Sequence, residues 1–353
     1  MWSFGVVAAE VFHQQRIACL DASPPRGYNL RMCILFIAVE RHRRYPLVIA
    51  ANRDEYHARP SAPLHRWAGD AGILAGRDEL AGGTWFGVNA RGRIAAVTNR
   101  RAAESGRRAA AGQTMNAATV AATVDAKSAA GDATVTATVN AGSAAGDATV
   151  AATENAATVA ATESTPSRGA LPARFLRGAD SIAEFGEFLR AAHRDFRPFN
   201  LLYGEPGRLH CFAGGEANSG ARPRLLGRGF HSISNGAMDD PWPKMARGVE
   251  LLKAQIAGDR DLCADNLARM MKDEAPADGA GDGAAASTAT AAAGTVDDAR
   301  RASIFITGAR YGSRATTLLF AAPGRFEVYE YAYAARGVAA GRRHVALTVT
   351  DAA

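Results

Sequence analysis

The chain has 353 residues, a formal charge of +6 and 48% hydrophobic residues. Only four of its 41 basic residues are lysine (Lys127, Lys244, Lys253, Lys272), and the arginines are scattered rather than interleaved with aromatics, so no nucleic-acid footprint stands out. No apolar run reaches the roughly 20 residues of a membrane helix.

Cys19, Cys33, Cys211 and Cys263 show neither CxxC pairing nor zinc-like spacing. They read as thiols of a reducing compartment. The opening 30 residues make a poor signal peptide, lacking a basic start and carrying Glu10 within their apolar part. A cytoplasmic location is the resulting expectation. At roughly 150 residues per domain the length would suggest two domains. Residues 102–166 and 275–293, however, are almost entirely small or polar, with no aromatic residue, Leu or Ile. Such tracts cannot bury enough apolar area to offset chain entropy. Ser-Ala-Ala-Gly-Asp-Ala-Thr-Val occurs at 128–135 and again at 143–150, which suits expansion of a surface loop better than a structural repeat. The expectation is one domain over 32–353, interrupted by low-complexity inserts at 102–166 and 275–293.

In chain order, the first strong signal is Met32-Cys33 followed by the apolar run Ile34–Val39, which predicts a buried strand. Residues 1–31 are irregular and are expected to be disordered, either a gene-model extension ahead of a start at Met32 or a leader removed later. Leu47–Ala51 predicts a second strand, ending in Asn52-Arg53-Asp54-Glu55 at a sheet edge. A loop is expected through Arg59-Pro60 and Trp67. Gly82–Val88 and Arg93–Asn99 predict a hairpin around Asn89-Ala90-Arg91-Gly92. Ser181-Ile182-Ala183-Glu184 has the form of a capping box opening an amphipathic helix through Phe185, Phe188, Leu189 and Ala192. Phe199–Tyr203 and Arg208–Phe212 predict a strand pair, and Phe230–Asn235 another strand. Pro241-Trp242-Pro243 begins a helix, and a shorter one follows near Leu262–Met271. Ser303–Thr307, Thr316–Phe320 and Phe326–Glu330 predict a three-stranded meander. Hairpins dominate over βα alternation, which argues for antiparallel sheets with helices layered on them, an α+β fold.

Several of these segments carry a pattern. Met32-Cys33-Ile34, Ala51–Glu55 with Arg59-Pro60, Gly82–Gly87, Thr98-Asn99, Ser234-Asn235-Gly236 with Pro241–Lys244, and Tyr311-Gly312-Ser313-Arg314 with Thr316-Thr317 follow one another in order. Together they resemble the NRDE family, also called the Transport and Golgi Organization protein 2 family. That family is similar to cysteine N-terminal-nucleophile hydrolases such as penicillin V acylases and bile salt hydrolases. The resemblance implies a four-layer αββα sandwich of antiparallel sheets and a catalytic cysteine exposed by removal of the residues before it.

The chemistry of that layout is simple. A thiol of pKa near 8.5 becomes nucleophilic as thiolate, and an α-amino group titrating near 7.7–8.0 can take its proton and return it to a leaving amine. Both groups would reside on Cys33. By resemblance, Asp54 would hold the amine or thiol of Cys33, and Arg53 or Arg314 would favour the thiolate. Asn235, with Asn99 as a second candidate, would donate to an oxyanion. Asn52 completes the candidate set. The acylases carry an Arg before the Asn of this motif, whereas here Ala51 precedes Asn52 and Arg53 follows it.

Plainer readings exist for each residue. Cys33 can be a small core residue, Asn52–Glu55 an ion-paired turn, Asn235 a turn residue before Gly236, and Arg314 a loop charge. His57, His65, His210 and His231 lack metal-ligand spacing, and no resident cofactor is expected. The functional alternatives are an amide or acyl hydrolase acting on a small amphipathic or acyl-amide ligand, a non-catalytic carrier in haem or lipid/acyl-CoA trafficking with haem as cargo, and an interaction module. The oligomeric state is open.

Overall fold

The computed structural model describes residues 33–69, 72–100, 165–215, 221–257, 262–275 and 303–350. Residues 1–31 lie outside them, as do the two inserts apart from Thr165, Pro166 and Ala275. The elements described below all fall in the unit formed by Met1–Arg101 and Pro166–Ala353.

Thirteen strands are described: β1 Cys33–Val39, β2 Leu47–Tyr56, β3 Ser61–Arg66, β4 Leu74–Asp78, β5 Phe86–Val88, β6 Ile94–Asn99, β7 Phe199–Glu205, β8 Arg208–Gly214, β9 Arg224–Leu225, β10 Gly229–Ile233, β11 Tyr311–Ala322, β12 Arg325–Tyr333 and β13 Ala339–Thr348. They form two antiparallel sheets, one ordered β10-β1-β2-β11-β12-β13 and the other β3-β4-β5-β6-β7-β8-β9. Four helices cover them: α1 Ala170–Arg177, α2 Ile182–Ala192, α3 Pro243–Ala257 and α4 Ala264–Met271.

Strand alternation builds the layers. From β1, Leu35, Ile37 and Val39 face the other sheet, where they join Phe86, Val88, Ile94, Ala96 and Leu202. Ile34, Phe36 and Ala38 point the opposite way and pack with Met245 and Leu252 of α3 and Leu267 and Met271 of α4. The outer face of the second sheet, through Ala95, Leu201, Tyr203 and Phe212, packs on Phe175 of α1 and Phe185 and Leu189 of α2. The order helix, sheet, sheet, helix makes a four-layer αββα sandwich, and both faces of β1 are buried because it lies inside.

Local signals hold where they are strong. Ser181 caps α2 as a complete capping box with Glu184, and α1 ends on Gly178 in the left-handed conformation, φ 79°. Three expectations are corrected. Asn52–Glu55 do not follow β2 at a sheet edge; they lie within it, flanked by β1 and β11, because buried partners satisfy their polar groups. The predicted loop beyond Pro60 contains strand β3. Ser303–Thr307 is not a strand: Phe305 N–H donates to Asp273 O and Ile306 N–H to Ser313 Oγ, so its backbone is claimed by a helix exit and a side chain. The third meander strand is instead β13, which pairs with β12.

Candidate active site

Cys33 opens β1, and its Cα partner across the ladder is Arg53 of β2. On the other side, the β1–β10 register pairs Leu35 with Ile233. β10 ends at Ile233, so Ser234 and Asn235 lie just beyond it. The start of β1 thus faces Arg53 across one ladder, with Ser234 and Asn235 following β10 on its other side.

The thiol lies at a small cavity between the sheets, lined by Leu35, Ala51, Arg53, Trp85, Phe86 and Thr317 among others, and enclosing ≈ 10 Å³. That is about the room one water needs. Burial is the main force on the thiol and the nearby Asp54 charge adds to it. The Asp54 backbone N–H and the Arg53 charge pull the other way, and the net result is a pKa pushed up to about 12. The Arg53 charge favours the thiolate, but burial outweighs it.

Arg53 is 6% exposed and its guanidinium stacks 4.1 Å from the Trp85 ring centroid, a cation–π contact. Gly76 leaves the space the indole occupies; a Cβ there would overlap Trp85. Asp54 sits on the opposite face of β2, where Ser313 Oγ donates to its Oδ1 at 2.5 Å. Burial raises its carboxyl to about 7, against the Ser313 bond and the positive charges of Lys244 and Arg53.

Asn52 is occupied by the scaffold. Its Nδ2 donates to Met271 O and Ile304 O, both at 2.9 Å, and its Oδ1 accepts from Thr316 Oγ1 at 2.7 Å. Asn235 Nδ2 donates to Asn99 O at 2.6 Å, joining the two sheets. Ser234 Oγ donates to Cys33 O at 3.0 Å, and Thr98 Oγ1 donates to Ser234 O at 2.7 Å. Asn99 and Asn235 thus stand at the Cys33 end of the fold. Arg314 does not approach the thiol in the same way. A β-bulge between Ser313 and Ala315 presents it, and its Nη1 donates to Tyr56 O and Arg59 O. Arg59 in turn pairs with Asp78 at 2.8 Å and Glu55 at 3.7 Å.

Several contributors had no role assigned from sequence. Ser313 and Lys244 stood in recognised segments, but only the fold points them at Asp54. Lys244, one of four lysines, is 6% exposed at the first turn of α3, and its rarity was a usable signal. Glu330 continues the inward face of Phe326 and Val328 on β12, and its Oε1 accepts from Leu64 N–H at 2.7 Å. Burial pushes its carboxyl up. Among the described residues no group of three or more His, Cys, Asp or Glu is placed to hold a metal ion, and no helix is long and apolar enough to cross a membrane.

Comparison with known proteins places this geometry in context. A Bos taurus Transport and Golgi organization protein 2 homolog is 26% identical over 249 residues, 67% of this chain and 68% of that protein. The Homo sapiens homolog is 41% identical over 75 residues, 19% of this chain and 27% of its own. A solved structure, the Caenorhabditis elegans N-acylethanolamine-hydrolyzing acid amidase ortholog, is similar at a TM-score of 0.40 and 10% identity, over 82% of this chain and 92% of that one. The family model for Transport and Golgi organisation 2 matches residues 32–128 and 146–335, most of the chain. The chain belongs to the Transport and Golgi organisation 2 family.

Proposed function

We propose that this protein is an amide or acyl hydrolase whose nucleophile is Cys33, active once Cys33 is the first residue. The observation that carries the reading is the placement of Cys33: it begins a strand buried on both faces, directly across the ladder from Arg53. The family match also begins at residue 32.

The reaction follows from that placement. The free α-amine of Cys33 takes the thiol proton, and the thiolate attacks the substrate carbonyl. The tetrahedral intermediate collapses, and the amine leaves with the proton held by the α-ammonium. Water, activated by the same amine, cleaves the thioester and restores the thiol. Side-chain N–H donors on this end of the sheets, from Asn235 or Asn99, would stabilise the oxyanion; losing one such donor typically costs about 10²–10³ in rate. With residues still ahead of Cys33 there is no amine base, and a thiol pushed up to about 12 is inert near neutrality. Such a chain is a precursor.

The test is intact-mass measurement of natively expressed protein, followed by turnover of a panel of acyl amides with Cys33→Ala alongside. The reading expects a chain starting at Cys33 and no turnover in the variant. A native chain that keeps residues before Cys33, or a variant as active as the parent, overturns it.

A further inference from the structure

Beyond β10 the chain makes a loop from Ser234 to Asp240 that carries Asn235. The loop bridges the two sheets. From the second sheet, Asn200 Nδ2 donates to Ser234 O and Gly236 O, both at 2.9 Å, and Thr98 Oγ1 holds Ser234 O as well. On the side of the first sheet Ser234 Oγ reaches Cys33 O, and Asp239 ties the return of the loop back to β10. The Asp239 N–H donates to Ser232 O at 2.8 Å, and its Oδ1 accepts from the Ser232 N–H at 2.8 Å. Its Oδ2 faces His231 Nδ1 at 3.1 Å, with Nη2 of Arg224 on β9 at 3.7 Å. The other ring nitrogen of His231, Nε2, lies 2.9 Å from Gly227 O. A carbonyl and a carboxylate accept and do not donate, so both ring nitrogens can bond them only in the imidazolium. A neutral ring keeps one of the two bonds and turns a lone pair on the other acceptor. The surroundings of the pair hold their own charge fixed. Arg224 is permanently charged, and the Cys211 thiol, across the ladder from Arg224, is pushed up to about 12 by burial and stays neutral. β1 presents Ile37 across from His231, α3 lies against Phe230 on the opposite face of β10, and Asp240 takes the Ala237 N–H.

We infer that His231 and Asp239 are positioning residues for Asn235: a proton-dependent clasp that ties the Asn235 loop to the sheet of Cys33 while His231 is imidazolium and releases it when the ring is neutral. The bond to Asp239 raises the imidazole above its ordinary value, against burial. Burial acts to raise the Asp239 carboxyl, but the His231 bond, the Ser232 N–H and the positive charges of His231 and Arg224 outweigh it and hold the carboxyl below its usual range. Linkage then sets the window. The raised imidazole contributes fully below its ordinary value and loses that contribution as pH rises through the folded value. The lowered carboxyl contributes above its ordinary range and loses that contribution as pH falls through the folded value. The clasp is therefore closed in mild acid and opens toward alkaline pH. Once it opens, Asn235 follows the second sheet through Asn200, and among the described residues the Ser234 hydroxyl alone keeps the loop beside Cys33. The catalytic consequence rests on Cys33 as nucleophile and Asn235 as oxyanion donor; the clasp itself does not.

Hydrogen exchange of the purified full chain, read by mass spectrometry, tests the clasp. Exchange over residues 233–239, normalised to the intrinsic rate, is compared at about pH 5.5 and about pH 8.5, with β7 as the internal reference for global stability. In the parent the loop is expected to lose about tenfold in protection relative to β7 at the higher pH. His231→Gln, whose amide has no proton to lose in this range, is expected to show no step. The parent comparison needs no variant, so a folding defect in His231→Gln leaves the test intact. A loop equally protected at both pH values, or a step that survives in His231→Gln, overturns the inference. Turnover reads the link to Asn235. Asp239→Asn keeps the left-handed φ of 63° and an acceptor for Ser232. It should lower kcat about tenfold in the parent with KM little changed, and should have no further effect in Asn235→Ala, because both act through one donor. Additive losses in the two variants overturn the positioning role. A parent that turns over no acyl amide sinks the hydrolase instead, and the pH step in exchange then decides the clasp by itself.

Discussion

Ser313 Oγ donates to the Asp54 carboxylate, while the Asp54 backbone N–H lowers the pKa of the Cys33 thiol. One residue therefore acts on the thiol with opposite signs. The amide stabilises the thiolate, and the side-chain charge and the burial that surrounds both residues oppose it, with burial largest.

That balance predicts the reactivity of a chain that retains residues ahead of Cys33. Alkylation of Cys33 by iodoacetamide should be negligible at pH 7 and still rising at pH 10, far above the ordinary thiol range. Replacing Asp54 by Asn removes the like charge but keeps the amide, so the profile should move to lower pH. Peptide mass mapping of Cys33 across pH checks both. A profile centred near 8.5 in the parent would show that burial is not what controls the thiol.

Asn52 was a candidate for catalysis, yet its side chain bonds three separate elements. Asn52→Ala leaves two buried carbonyls and a hydroxyl without their partner, at about 1–3 kcal/mol for each buried group left unsatisfied. Urea unfolding should therefore show a marked loss of stability, with the Cys33 alkylation profile unchanged. The opposite pattern, normal stability with altered thiol reactivity, would return Asn52 to the reaction.

How much of this the sequence could reveal depends on the range of each interaction. β1 was legible because seven consecutive residues carry the signal, and the α2 cap because Ser181 and Glu184 are three apart. Strand β13 was not, since Arg342, Arg343 and His344 lie exposed and only Val345 and Leu347 turn toward the core. β3 is masked by Pro60 and Pro63. For the site, chain-local motifs supplied Cys33, Arg53, Asp54, Asn99 and Asn235, all at one end of the sandwich. The pairing of Arg53 with Trp85, and of Asp54 with Ser313 and Lys244, joins segments far apart in sequence, and no local pattern encodes it. Asn52–Glu55 were misplaced because four consecutive polar residues resemble a strand end unless their distant partners are known.

Asp54 also gives stability a pH dependence of defined sign. Its folded carboxyl titrates near about 7 against a usual 3.8, so the native state holds this proton more tightly than the unfolded chain does. The contribution is fully present below the usual carboxylate range and is lost as pH rises through about 7. Between pH 4 and pH 8 the parent should lose stability relative to Asp54→Asn, which has no such proton to release. Thermal unfolding of both proteins across that range reads the difference. If the gap between them stays constant, Asp54 is ionised in the folded protein throughout.

The last prediction concerns what holds β1, and with it Cys33, in place. Gly248 lies inside α3, where a Cβ would overlap the ring of Phe36. Phe36 is fully buried and belongs to the cluster joining β1 to α3 and α4. Helix propensity alone would make Gly248→Ala stabilising by about 1 kcal/mol. Overpacking a closed core costs about 1–3 kcal/mol, so the net effect should be neutral to destabilising, against propensity. The coupling partner identifies the cause: in a Phe36→Leu background the same glycine replacement should regain its helical benefit, giving a clear interaction energy in a double-mutant cycle. Chemical denaturation of the four proteins measures it. Additive effects would mean that the helix and strand are not locked through this contact, and Cys33 would then owe its position to the Ser234 and Arg53 sides of the ladder instead.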